Sequence, residues 1–104
     1  MDINGKVALV TGGSGGIGEA ITKALATAGA DVAVSYVAEA TRAGELVEAL
    51  RMAGRRSQAV QLDQRDPQSI DACVKAVAGH FGRIDILINN AAWNVGTRSR
   101  SSTR

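Results

Sequence analysis

Five of the eight residues in Thr11-Gly12-Gly13-Ser14-Gly15-Gly16-Ile17-Gly18 are glycine. They follow Lys6-Val7-Ala8-Leu9-Val10-Thr11, an apolar, β-rich run that reads as a buried strand. They precede Ile17, Ala20, Ile21, Ala24, Leu25 and Ala28, which recur at the spacing of one helical face, with Gly29 placed as a C-terminal stop. Glycine at such a junction permits positive φ, lets a ligand approach the backbone and lets the helix pack closely on the strand. The first-turn N–H groups of the helix, with its dipole, then attract an anion such as a pyrophosphate. The loop lacks the Gly-Lys-Ser/Thr ending of a nucleotide triphosphatase loop. It parses in two registers: Gly13, Gly15 and Gly18 satisfy GxGxxG, and Gly12, Gly16 and Gly18 satisfy TGxxxGxG.

The remaining periodicity predicts a strand over residues 31–37 and a helix over 40–53, with Ala43, Leu46, Val47 and Leu50 on one face and Gly54 as its stop. A weaker strand follows over 57–62. Asp66-Pro67 marks the next helix start, a cap followed by proline in the first turn. Ile70, Cys73, Val74, Val77 and Phe81 form its apolar face, and Gly79 and Gly82 punctuate its end. Ile84 to Ile88 is a fourth strand, leading into Asn89-Asn90-Ala91-Ala92. The order β-α-β-α-β-α-β predicts an α/β fold, a Rossmann-like doubly wound parallel sheet that stops after its fourth strand.

The chain has 104 residues, 45% hydrophobic and 21% charged, which argues for one folded unit and against disorder. Aromatics are only Tyr36, Phe81 and Trp93, so the core must be built from Ala, Val, Ile and Leu. No apolar run approaches the roughly 20 residues of a membrane span, and no secretory signal is visible at the N-terminus. The lone Cys73 excludes an internal disulfide and any multi-cysteine zinc site. A cytoplasmic location is expected, with neither membrane nor nucleic acid as partner. The net charge of +2 is uneven: residues 98–104 hold Arg98, Arg100 and Arg104 and no acid, and the rest of the chain has one more acidic than basic residue. Residues 1–95 are read as a partial dinucleotide-binding domain and 96–104 as a disordered Arg/Ser-rich tail.

The glycine loop at 11–18, Leu62-Asp63 closing the third strand, and Asn-Asn-Ala-Ala at 89–92 together resemble the short-chain dehydrogenase/reductase family, over residues 5 to about 95. The resemblance implies that Gly12, Ser14, Gly16, Ile17 and Gly18 surround the pyrophosphate and adenosine ribose of a dinucleotide. It implies that Asp63, beside Leu62, meets the adenine amino group. It further implies that Asn90, Ala91 and Ala92 border the nicotinamide-side ribose and brace the central strand. Ala92 stands where the family usually has glycine. The family moves hydride between nicotinamide and a carbonyl or alcohol, using a serine and a Tyr-x-x-x-Lys. That motif has no counterpart in this sequence, whose single tyrosine, Tyr36, ends the second strand. Lys23 and Lys75 read as solvated, His80 as a partner for a helix C-terminus, Cys73 as a small buried hydrophobe and Trp93 as cover for apolar surface. No catalytic residue is assigned.

An acid at the end of the second strand, holding the ribose 2′-hydroxyl, marks many NAD sites. That position is Tyr36, so NADP is preferred over NAD, with Arg42 as a candidate phosphate partner. Gly15 occupies a place where many NADP-dependent relatives carry Lys or Arg. The fourth strand would be an exposed edge, so self-association is expected. The Arg/Ser-rich ending suggests a truncated or frame-shifted gene. Two readings stay open: an oxidoreductase represented by its cofactor-binding half and inactive alone, or a non-catalytic dinucleotide-binding module or gene remnant. A flavodoxin-like or methyltransferase domain would share the glycine loop but does not explain Asp63 and Asn89-Asn90 together.

Overall fold

The computed structural model describes residues 3–12, 15–37 and 40–90. Its elements run β1 (Val7–Thr11), α1 (Gly16–Thr27), β2 (Asp31–Tyr36), α2 (Ala40–Met52), β3 (Ser57–Gln61), α3 (Pro67–Phe81) and β4 (Ile86–Asn89). The strands form one parallel sheet in the order β3-β2-β1-β4, the expected α/β arrangement. Val7 pairs with Asp31, Ala8 with both Val32 and Ile86, and Val32 with Ser57.

Burial falls from the middle of the sheet outward. All five residues of β1 are buried, as are the four central residues of β2, whereas β4 alternates between half-buried and exposed. The pleat sends alternate residues to opposite faces. Val10, Val32 and Val34 meet Ala26 of α1 and Ala43, Leu46, Val47 and Leu50 of α2. Val7, Leu9 and Ala33 meet Cys73, Val77 and Phe81 of α3 on the other face. The chain therefore steps outward from β1 under α1 and α2, then returns beneath α3 to place β4 on the far side of β1. Neighbouring connections leave β1 on opposite faces, which opens a crevice at the carboxyl ends of β1 and β4.

Two helical faces differ from the sequence expectation. The buried residues of α1 are Gly18, Thr22 and Ala26, while Ile17 is 73% exposed. Ile21 and Leu25 are only partly buried against the core, and Ala20, Ala24 and Ala28 face outward. The buried positions of α1 are thus small residues. On α3, Cys73, Val77 and Phe81 are buried as expected, but Ile70 and Val74 are exposed. The α2 face is buried at all four expected positions.

Local chemistry explains the α3 boundaries and the late start of β4. Asp66 caps α3 by accepting from the Gln68 N–H at 3.0 Å, Pro67 follows it, and Gly82 ends the helix at φ 92°. The ladder of β4 begins two residues after Ile84 because Asp85 is used differently: its carboxylate accepts from the Val7 N–H at 2.9 Å and from Arg83 Nε at 2.7 Å. The Val7 amide and then the Arg83 guanidinium hold the Asp85 carboxyl below the usual carboxylate range. Among the described residues, no helix is long and apolar enough to cross a membrane.

Candidate dinucleotide site

The carboxyl ends of the strands form a rim that gathers most of the sequence-predicted site residues. Gly12 leaves β1 at φ 66° and Gly16 enters α1 at φ 45°, both in the left-handed region that favours glycine. The N-cap of α1 is Gly15, which has no side chain with which to cap it. A Cβ added at Gly15 or Gly16 would meet nothing within 4 Å. The contrast with α3 is instructive, because Asp66 satisfies that helix internally. Among the described residues, no side chain caps the first turn of α1, whose N–H groups suit an anion. Gly18 is buried and Ile17 is exposed.

At the β4 end, Asn90 is bound to the tip of β1 twice. Its backbone N–H donates to Thr11 Oγ1 at 3.0 Å, and its Nδ2 donates to the Gly12 carbonyl at 3.2 Å. The Thr11 hydroxyl, 5% exposed at residue level, lies 3.1 Å from Asn89 Oδ1 and 3.3 Å from the Ile88 carbonyl. Ser35 Oγ, from the buried interior of β2, accepts from the Gly12 N–H at 3.0 Å. Gly12 is thus held on both sides, from β2 through its N–H and from β4 through its carbonyl.

At the other end, the Leu62 N–H donates to the Tyr36 carbonyl at 2.8 Å, which brings these two predicted residues together. Leu62 is buried in the α3-side core and Tyr36 packs on the α1–α2 side. The Asp63 N–H donates to Ser69 Oγ at 2.9 Å. Its Oδ1 accepts from the Arg65 N–H and from Arg65 Nε, each at 3.0 Å, and its Oδ2 accepts from Arg65 Nη2 at 3.2 Å. These bonds from Arg65 keep the Asp63 carboxyl below its ordinary range. An ionised carboxylate offers about four acceptor positions. Arg65 uses three, so Asp63 keeps capacity for an incoming amino group.

Ser14, Ala91 and Ala92 lie outside the described residues, as do Trp93 and the 96–104 segment. Ser35 and Gln64 also belong to the rim and stand outside the sequence motifs, whereas Thr11 and Asn89 lie inside them. Ser35 left a faint signal, a small polar residue inside the apolar run Val32-Ala33-Val34. Arg42 reaches toward the first turn of α1, with Nη2 3.9 Å from Glu19 Oε1. Glu19 is held more closely by Lys23 at 2.9 Å, whose hydrogen bond is the main reason its carboxyl lies below the usual range.

Comparison with known proteins agrees with this geometry. The sequence pattern described as short chain dehydrogenase matches residues 6–103. The hydroxynaphthalene reductase arp2 of Aspergillus fumigatus is 44% identical over 91 residues, covering 88% of this chain and 33% of that protein. The short-chain dehydrogenase/reductase homolog YusS of Bacillus subtilis is 40% identical over 92 residues, covering 88% of this chain and 84% of that one. A crystal structure of a short chain dehydrogenase from Burkholderia cenocepacia in complex with NADP superposes with a TM-score of 0.85 at 49% identity, over 89% of this chain and 38% of that one. This chain spans about a third of the length of the reductase and of that crystallised enzyme, and most of YusS. With the family pattern matched over nearly all of its length and the rim assembled as described, the chain belongs to the short-chain dehydrogenase family.

Proposed function

We propose that the rim binds NADP(H), and that this chain supplies the cofactor-binding part of an oxidoreductase acting on a carbonyl or alcohol. The observation that carries the reading is the α1 N-terminus, which no side chain among the described residues caps and which begins at a residue with no side chain. Its N–H groups and those of the glycine loop would hold the pyrophosphate, with Gly12, Ser14, Gly16, Ile17 and Gly18 around it. Asp63, beside Leu62, would accept from the adenine amino group. Asn90, with Ala91 and Ala92, would border the nicotinamide-side ribose. When bound, the nicotinamide supplies hydride. The Tyr-x-x-x-Lys that handles the proton in the family has no counterpart in this sequence, so catalysis is proposed only for a complete enzyme.

NADP over NAD is supported by three features. Tyr36 offers no carboxylate to repel a 2′-phosphate. Arg42 is 59% exposed and only loosely held by a glutamate that Lys23 already neutralises. The Burkholderia relative was crystallised with NADP. Gly15 sharpens the test, because its φ of −121° suits any residue and space surrounds its Cβ position. Titration of the purified chain should show NADPH binding more tightly than NADH. Gly15→Arg should widen that preference about tenfold, near the worth of one charge-assisted hydrogen bond. Clearly tighter binding of NADH would overturn the preference, and binding of neither by the folded chain would overturn the site.

Self-association through β4 is also proposed. Among the described residues β4 pairs only with β1, and its Leu87 is 62% exposed on the same face as α3, where Ile70 and Val74 are exposed as well. The opposite edge, β3, carries polar Ser57, Gln58 and Gln61 and is the poorer template. Light scattering across a concentration series should show a dimer or larger species that Leu87→Lys returns to monomer. A wild-type monomer throughout, at concentrations up to about the 100 μM where weak pairs form, would count against it. The lone buried thiol of Cys73, pushed up in pKa by burial, suits the reducing cytoplasm proposed as its location.

A further inference from the structure

β3 and β4 are the outermost strands, with β2 and β1 between them. Strand spacing puts their axes about 14 Å apart. Yet Gln64, two residues beyond Leu62 in the loop after β3, donates from Nε2 to Asn89 Oδ1 of β4 at 3.2 Å. The loop and the Gln64 side chain together therefore span the rim from the β3 edge to the end of β4. Asn89 Oδ1 accepts from Thr11 Oγ1 as well, and Thr11 in turn accepts from the Asn90 N–H. A continuous hydrogen-bonded path runs from the residue beside Asp63 to the Asn90 amide and on to the Gly12 carbonyl.

We infer that Gln64 is a positioning residue that fixes the separation between the adenine end of the site and its nicotinamide end. Its side chain acts through Asn89. The inference rests on the dinucleotide reading and extends it to a residue which that reading leaves without a role. The Asp63 loop is anchored near its base by the Leu62 and Asp63 N–H groups. Gln64 anchors its far side. A dinucleotide engages both ends at once and needs the two fixed relative to each other. A ligand that fills only the adenosine end does not need the two ends fixed relative to each other.

The test compares NADPH with 2′,5′-ADP on the full chain, using wild type, Gln64→Met, Gln64→Glu and Asp63→Ala. Gln64→Met keeps the side-chain length but removes the donor. It should weaken NADPH about fivefold, the scale of one neutral hydrogen bond, and leave 2′,5′-ADP within about twofold. Gln64→Glu sets a carboxylate against the Asn89 carbonyl oxygen and should behave like Gln64→Met or worse for NADPH alone. Asp63→Ala should weaken both ligands together. Circular dichroism confirms that each variant is folded. Equal losses for the two ligands with Gln64→Met, or no loss for either, would sink the role of Gln64 while leaving the dinucleotide site standing. If wild type bound neither ligand, the site reading and this inference would fall together.

Discussion

Gly16→Asp is expected to reduce dinucleotide affinity by at least about a hundredfold while the fold survives. Gly16 has φ 45°, and aspartate is among the few non-glycine residues that tolerate this region. Its Cβ would enter open space. A carboxylate in the first helical turn also complements the macrodipole, so the substitution favours α1 locally. For the proposed ligand the effect is opposite, since the new charge stands where a pyrophosphate would sit. Two unit charges about 4 Å apart repel by about 4 kcal/mol at the effective dielectric near a protein surface. Isothermal titration with NADPH measures the loss and a thermal melt checks the fold. A loss of less than about threefold, against the tenfold that 1.4 kcal/mol represents, would mean that the ligand does not lie at this helix end.

The second large effect concerns stability. Gly29→Ala is expected to destabilise the chain by about 2–4 kcal/mol, the sum of left-handed backbone strain and overpacking. Gly29 has φ 101°, and a Cβ there would collide with Asn4 Oδ1 and come within 3.1 Å of Asn4 Cα. The turn has little room to yield. The Gly29 carbonyl accepts from the Gly5 N–H at 2.9 Å and from Arg55 Nη1 at 2.8 Å, and its N–H donates to Ala26. Gly54 provides the control, with φ 91° and nothing within 4 Å of its Cβ position. Gly54→Ala should show the backbone cost alone, about 1–2 kcal/mol. Urea denaturation of both variants gives the comparison. Equal losses would show that Asn4 moves aside and that the close approach costs nothing.

The sequence disclosed the fold well where its pattern and the packing share one cause. On α2 the apolar positions Ala43, Leu46, Val47 and Leu50 are also the buried ones, because that helix meets the sheet through ordinary side chains. It misled on α1, where the buried residues are Gly18, Thr22 and Ala26. Hydropathy ranks Gly18 and Thr22 below Ile17 and Ala24, yet the first two are buried and the last two exposed. Ile70 and Val74 satisfied helical spacing on α3 and are nevertheless exposed, since they lie beside the face that touches the sheet. At the rim, the glycines of the left-handed positions Gly12 and Gly16 were legible, because local backbone chemistry dictates the residue type there. The fastening of the rim was not. Thr11 with Asn90, Ser35 with Gly12 and Gln64 with Asn89 are hydrogen bonds between distant segments, and no local pattern records them.

The strand order also sets a schedule for folding. β1 is made first but lies inside the sheet, flanked by β2 and by β4, the last strand of the described chain. Its ladder with β2 spans about two dozen residues, whereas its ladder with β4 joins residues 78 apart, such as Ala8 and Ile86. Loop closure must be completed before such distant contacts reward it, which slows folding in parallel sheets. On the ribosome the most deeply buried strand therefore waits with one side unpaired until β4 emerges. Through that interval the chain's greatest exposure to misassociation lies at the segment that becomes its best protected.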